Sequence, residues 1–134
     1  MNAIRRYAQA QNETASPERL MILLFEAALR HMRTAAGALE SGRAADANVA
    51  LSKATDIVVE LDATFDRPRF PELADNLGAV YQFVCNRLLS ATVKRDPVLV
   101  REAERVFLPV ADAFSTAVSQ LSVERASQAA QAAR

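Results

Sequence analysis

The sequence predicts an all-α protein built as an antiparallel four-helix bundle, on three observations. Alanine is abundant while glycine occurs only three times and proline five times in 134 residues, a mixture that favours helix over sheet. Apolar residues recur at spacings of three and four along four segments, which places them on one face of a helix. Each segment is bounded by capping residues or prolines, and the links between them are short.

The first helix starts at Thr14-Ala15-Ser16-Pro17-Glu18. Ser16 can accept from the unpaired N–H groups of a first turn. Pro17 suits the first helical position, where its missing N–H has no partner to lose, and Glu18 complements the positive end of the helix dipole. Helix one is predicted over 17–40, closed by Ser41-Gly42. Helix two is predicted over 44–65, with Ala47, Leu51, Ala54, Val58, Leu61 and Phe65 as its stripe. Asp66-Arg67-Pro68-Arg69-Phe70-Pro71 interrupts it, because two prolines cannot continue a helix interior. Helix three runs from Pro71 to about Lys94 along Leu73, Leu77, Val80, Val84, Leu88 and Ala91. Asp96-Pro97 opens helix four, striped by Leu99, Ala103, Val106, Val110, Ala113, Ala117 and Leu121. Pro109 inside that helix predicts a kink. Residues 1–15 form an N-terminal segment expected to pack on or near the bundle, 16–121 the bundle itself, and 122–134 an Ala/Gln-rich tail expected to fray or be disordered.

Composition narrows the function. Sixteen basic residues balance sixteen acidic ones, so the chain lacks the basic surplus with which nucleic-acid binders neutralise phosphates. The same balance disfavours charge-driven binding to an anionic membrane. The single cysteine, Cys85, forms no intramolecular disulfide, and a reducing compartment is the simpler setting. Residues 1–7 show no apolar run behind their charges, so no secretory signal is predicted. The longest uninterrupted apolar run, Leu20 to Phe25, falls far short of the roughly 20 residues that cross a bilayer. A soluble, cytoplasmic protein whose partner is a protein surface is the expectation.

Chemistry is sparse. One histidine, His31, cannot build a multi-ligand metal site, and no Glu-x-x-His pair marks a di-iron bundle. Glycines 37, 42 and 78 are scattered, so no phosphate loop exists. Cys85 reads as a small core or boundary residue. No catalytic residue, cofactor or metal is predicted. Histidine phosphotransfer domains are also small helical bundles with one reactive histidine, but the residues after His31 do not follow their Leu, Lys, Gly order. A self-associating structural bundle is the other alternative.

Apolar surface exceeds what a bundle requires. Helix one carries three apolar rows, the third being Ile22, Leu29 and Ala36, and Val49 and Val59 stand off the main stripe of helix two. Such a surplus marks a partner groove, a dimer interface or simply the most central helix. Ile4 and Tyr7, at helical spacing in the N-terminal segment, are candidate occupants of a groove.

These residues resemble the FliS family of flagellar export chaperones. The family's early tyrosine is matched by Tyr7 and its Thr-Ala-Ser-Pro-x-x-Leu helix start by residues 14–20. Its Leu-Tyr-Asp-Gly-Ala-Leu stretch is matched by Leu24-Phe25-Glu26-Ala27-Ala28-Leu29, and its Ala-x-Asn-Leu-x-x-x-Tyr pattern by Ala74, Asn76, Leu77 and Tyr81. Residues 45–48, 53–54 and 57–61 are similar to its second-helix pattern, so the resemblance spans about 7–120. Phe25, Ala27 and Phe114 replace a family tyrosine, glycine and tryptophan, and the 66–71 link replaces a glycine-containing one. The resemblance implies a non-enzymatic chaperone that binds the disordered C-terminal region of flagellin, blocks premature polymerisation and keeps it competent for export. Other flagellar export or regulatory proteins are possible further partners, and the protein is expected as a monomer or homodimer. The partner-binding candidates are Ile4, Tyr7, Ile22, Leu29, Val49, Val59, Asn76 and Tyr81, with Tyr7 foremost.

Overall fold

The computed structural model describes residues 16–133. Four helices follow in order: α1 (Pro17–Glu40), α2 (Ala44–Thr64), α3 (Pro71–Lys94) and α4 (Pro97–Ala132). Each packs on its neighbour in sequence, and α4 closes back on α1. The result is an up-down-up-down bundle, as short links between long amphipathic helices dictate.

The predicted start signals act as expected. The Ser16 side chain accepts from the Arg19 N–H at 3.1 Å, and the Asp96 carboxylate accepts from the Val98 N–H at 2.9 Å. Gly42 closes α1 in the left-handed region at φ 71°, which glycine adopts without a Cβ clash, while the Arg43 N–H reaches back to the Ala38 carbonyl at 2.8 Å. Arg95 ends α3 at φ 55° in the same region, where a side chain is disfavoured. Between α2 and α3 the chain is tied locally: Arg67 Nη2 donates to Asp62 Oδ1 at 2.6 Å, and the Phe70 N–H donates to the Asp66 carbonyl at 3.1 Å.

The interior is apolar throughout the described residues, with no buried polar or charged side chain. Leu24, Met32, Leu51, Leu61, Leu88 and Phe107 are its largest sealed members. The three apolar rows of α1 are consumed by this core: Leu29 and Ala36 join it, and Ile22 is buried too. The surplus on helix one therefore reflects a helix packed on both α2 and α4. Ion pairs fasten α4 to its neighbours from outside: Arg33 to Glu104 at 3.2 Å, Arg101 to Glu40, and Arg87 to Glu102 at 3.0 Å. These are exposed pairs that orient helices more than they stabilise them.

Two expectations for helix four are corrected. The buried row is Val100, Ala103, Phe107 and Ala111, one step around the helix from the predicted stripe. Phe107 sets that register, since its ring buries more apolar area than Val106 or Val110 can. The tail, expected to fray or be disordered, instead continues α4 to Ala132. Residues 122–132 hold no glycine or proline and are rich in alanine and glutamine, which extend an existing helix at little cost. α4 also continues through Pro109, which lies on the exposed face. Arg105, whose carbonyl loses its N–H partner there, is itself exposed, so water can replace the bond.

An apolar groove at one end of the bundle as the candidate functional site

The antiparallel order gathers the start of α1, the end of α2, the start of α3 and the middle of α4 at one end of the bundle. Two adjoining apolar cavities open there. One, of about 250 Å³, lies under α4 and is walled by Met21, Phe25, Leu77, Tyr81, Val110 and Phe114 among others. The second, of about 640 Å³, opens between α1 and the α2–α3 link, against Leu20, Met21, Leu24, Phe65, Phe70 and Phe114. Met21, Phe65 and Phe114 belong to both, so the pair forms one continuous groove.

Local structure explains why the groove stays open. Pro68 and Pro71 hold the link away from helix, and Phe65 and Phe70 at its two ends face each other with ring centroids 6.2 Å apart. The Arg69 guanidinium lies 5.1 Å over the Phe70 ring, a cation–π contact that keeps the aromatic at the surface. Thr64 Oγ1 lies 3.6 Å from Met21 Sδ, tying α2 to α1 across the floor. Phe25 is the hub of the aromatic lining, 5.3 Å from Phe114 and 5.4 Å from Phe107 between ring centroids.

Among the described residues, Glu18 and Asp66 are the charged ones lining the larger cavity, and no charged residue lines the smaller. The Glu18 carboxyl is held below the usual range, first by its own backbone N–H and then, against desolvation, by Arg125 and Ser16. Tyr81 is 4% exposed, and burial, with Asp62 nearby, pushes its phenol up to about 12. It therefore serves as a neutral aromatic wall.

A third cavity, of about 550 Å³, lies in the α2–α3 seam against Val58, Val59, Asp62, Gly78, Tyr81 and Cys85. Burial and Asp62 raise the Cys85 thiol, so at neutral pH it is a protonated, weakly reactive group. His31 is half-buried on α1, and burial, reinforced by Arg30 and Lys53, lowers its pKa. Among the described residues no group of three or more His, Cys, Asp or Glu assembles as a metal site.

The predicted partner-binding residues are divided by the fold. Tyr81 lines both the end groove and the seam. Val59 is exposed and lines the seam. Val49 and Asn76 are exposed but line neither. Ile22 and Leu29 are buried and offer no free surface in this form. Ile4 and Tyr7 lie outside the described residues, as does the expected packing of residues 1–15.

A family model described as flagellar protein FliS matches residues 1–121. The chain belongs to the FliS family. It is 32% identical over 117 residues to the flagellar secretion chaperone FliS of Bacillus subtilis, covering 87% of this chain and 86% of that one. Flagellar secretion chaperone FliSB of Pseudomonas aeruginosa is 32% identical over 114 residues, covering 82% of this chain and 90% of its own. FliS of Salmonella typhimurium is 33% identical over 118 residues, covering 84% and 87%.

Within this FliS protein, the groove's main residues escaped the sequence reading. Leu73 and Leu77 sit on the predicted stripe of helix three, but Leu73 is 49% exposed. Phe65 and Phe70 flank the two prolines of the link, and that pairing of aromatics with helix breakers is the signal that a rigid, exposed aromatic corner is present.

Proposed function

We propose that the protein is a flagellar secretion chaperone whose client is the C-terminal region of flagellin, and that the client's apolar helix face docks in the end groove. The family and the names of its relatives support the chaperone role. The single observation that carries the site is the continuous apolar groove walled by Met21, Phe65 and Phe114.

The mechanism is steric and hydrophobic. A client segment that is disordered when free exposes an apolar face wherever it turns helical. The groove offers that face apolar and aromatic partners and withdraws it from other subunits. Ordering the client costs several kcal/mol, about 2–5 for segments of this kind, so a wrapped surface beyond one groove is needed for tight binding. The α2–α3 seam with Val59 is the natural continuation, because Tyr81 walls both. Ile4 and Tyr7 of the N-terminal segment compete with the client for the groove, which keeps it covered until a client arrives. The protein works in the cytoplasm by binding and not by catalysis, as a monomer or homodimer, and other flagellar export or regulatory proteins are further partners. No observation favours phosphotransfer through His31 or a purely structural bundle.

Isothermal titration calorimetry against a flagellin C-terminal peptide, about 40 residues long on the scale of a wrapped helical segment, tests the assignment. One-to-one binding with a strongly negative heat-capacity change is the expected result. A folded protein that gives no heat with this peptide refutes the client. Deleting residues 1–12 should raise affinity, and an unchanged affinity ends the competition idea.

A further inference from the structure

We infer that the part of α4 beyond Pro109 is a hinged lid over the smaller cavity of the end groove, held down by Arg125 on Glu18. Four observations on one helix support this. Pro109 breaks the hydrogen-bond ladder inside α4, and a proline in a helix interior is where bending is cheapest. Beyond it the underside is apolar: Val110, Ala113, Phe114 and Ala117 form the α4 wall of the 250 Å³ cavity. Yet the lid is thinly anchored, with Ala111 the last buried residue of α4. At the far end Arg125 Nη2 lies 3.5 Å from Glu18 Oε1, an exposed ion pair, and Glu18 is on the rim of the larger cavity.

Residues Phe114, Val118, Leu121 and Arg125 follow at spacings of four, three and four, so they share one helix face. Phe114 lies in the groove wall, and the latch stands at the same face three turns on. α4 is also the one helix among the described residues with the length and apolar composition to cross a membrane. Only 11% of that apolar stretch is buried, as an apolar lid requires. The latch lies past Leu121, where the family match ends.

With the lid lifted, the smaller cavity of the groove widens on its α4 side and exposes more of Phe25, Leu77 and Tyr81 to an incoming helix. The client half of this inference rests on the proposed function, whereas the lid itself does not. The test separates them. An apolar fluorescent dye such as anilinonaphthalene sulfonate is titrated into the full-length protein, its R125A and R125E variants, and P109A. R125A keeps helix propensity intact. Loss of one exposed ion pair should raise dye binding about two- to fivefold, with R125E higher still and R125K near wild type. P109A restores the missing ladder bond and should lower dye binding. Wild-type binding in R125A and R125E, with unchanged circular dichroism, overturns the latch; unchanged binding in P109A overturns the hinge. Flagellin peptide binding in the same variants then follows the dye if the groove is the client site. Dye binding that shifts while peptide affinity does not leaves the lid standing and refutes the groove as the client site.

Discussion

Phe114 of α4 lies against Phe25 of α1 with ring centroids 5.3 Å apart, and it is the only contact of its kind between those helices on the groove side of Phe107 among the described residues. The same ring walls both apolar cavities. Folding and the proposed client docking therefore draw on one side chain. Phe114→Ala should lower stability by about 1–3 kcal/mol, less than for a fully buried ring because Phe114 is only partly buried. Urea denaturation reads this as a lower midpoint at unchanged slope.

Arg95 closes α3 in the left-handed region at φ 55°, with its N–H bonded to the Ala91 carbonyl at 2.8 Å. A side chain there is strained, whereas glycine is not. Arg95→Gly should stabilise the protein by about 0.5–1 kcal/mol, the strain relieved outweighing the added chain entropy. A lower melting temperature in this variant would show that the arginine makes a compensating contact.

Asp96 caps α4 through the Val98 N–H. Asp96→Ala should cost about 1 kcal/mol, the usual value of a side-chain cap. Asp96→Ser should recover most of it, since a hydroxyl accepts from the same N–H group. Equal losses in the two variants would mean that the carboxylate acts through charge and not as a cap.

The legible part of this protein was its skeleton. Ser16-Pro17 and Asp96-Pro97 announce helix starts because capping and proline geometry act locally, and α1 and α4 begin where they place them. Local rules could not show which of two adjacent rows on α4 turns inward. Phe107 decides that through contact with Phe25 and Tyr81, both distant in sequence. The surplus apolar surface of α1 was visible, but Leu29 proved to serve the core, and the groove arose instead where Leu73 and Phe70 outreach their neighbours. Periodicity reports that a face is apolar; how far a neighbouring helix extends to cover it is a tertiary fact.

His31 introduces a pH dependence whose sign is fixed by its surroundings. Burial, then Arg30 and Lys53, lowers its folded pKa below the ordinary 6.5. The unfolded chain thus binds the proton more readily, and stability rises with pH through this window. Stability should fall as pH drops from 7 through 6.5 and should level off below the folded pKa. His31→Gln should flatten that slope in denaturant titrations between pH 7 and 5.5. An unchanged slope would place the titrating group elsewhere.

The central claim is that the end groove receives the client, and Leu73 is the residue on which to test it. It lines the groove and is 49% exposed, so a charge there leaves the core intact. Val93, on the same helix, is 76% exposed and far from the groove. Affinity for the flagellin C-terminal peptide should be measured for Leu73→Glu and Val93→Glu beside the unchanged protein. Losing one buried leucine contact and burying a charge should weaken binding by about tenfold or more in Leu73→Glu, with Val93→Glu within about twofold of the unchanged protein. Equal affinities in the two variants, or a loss confined to Val93→Glu, would contradict the account.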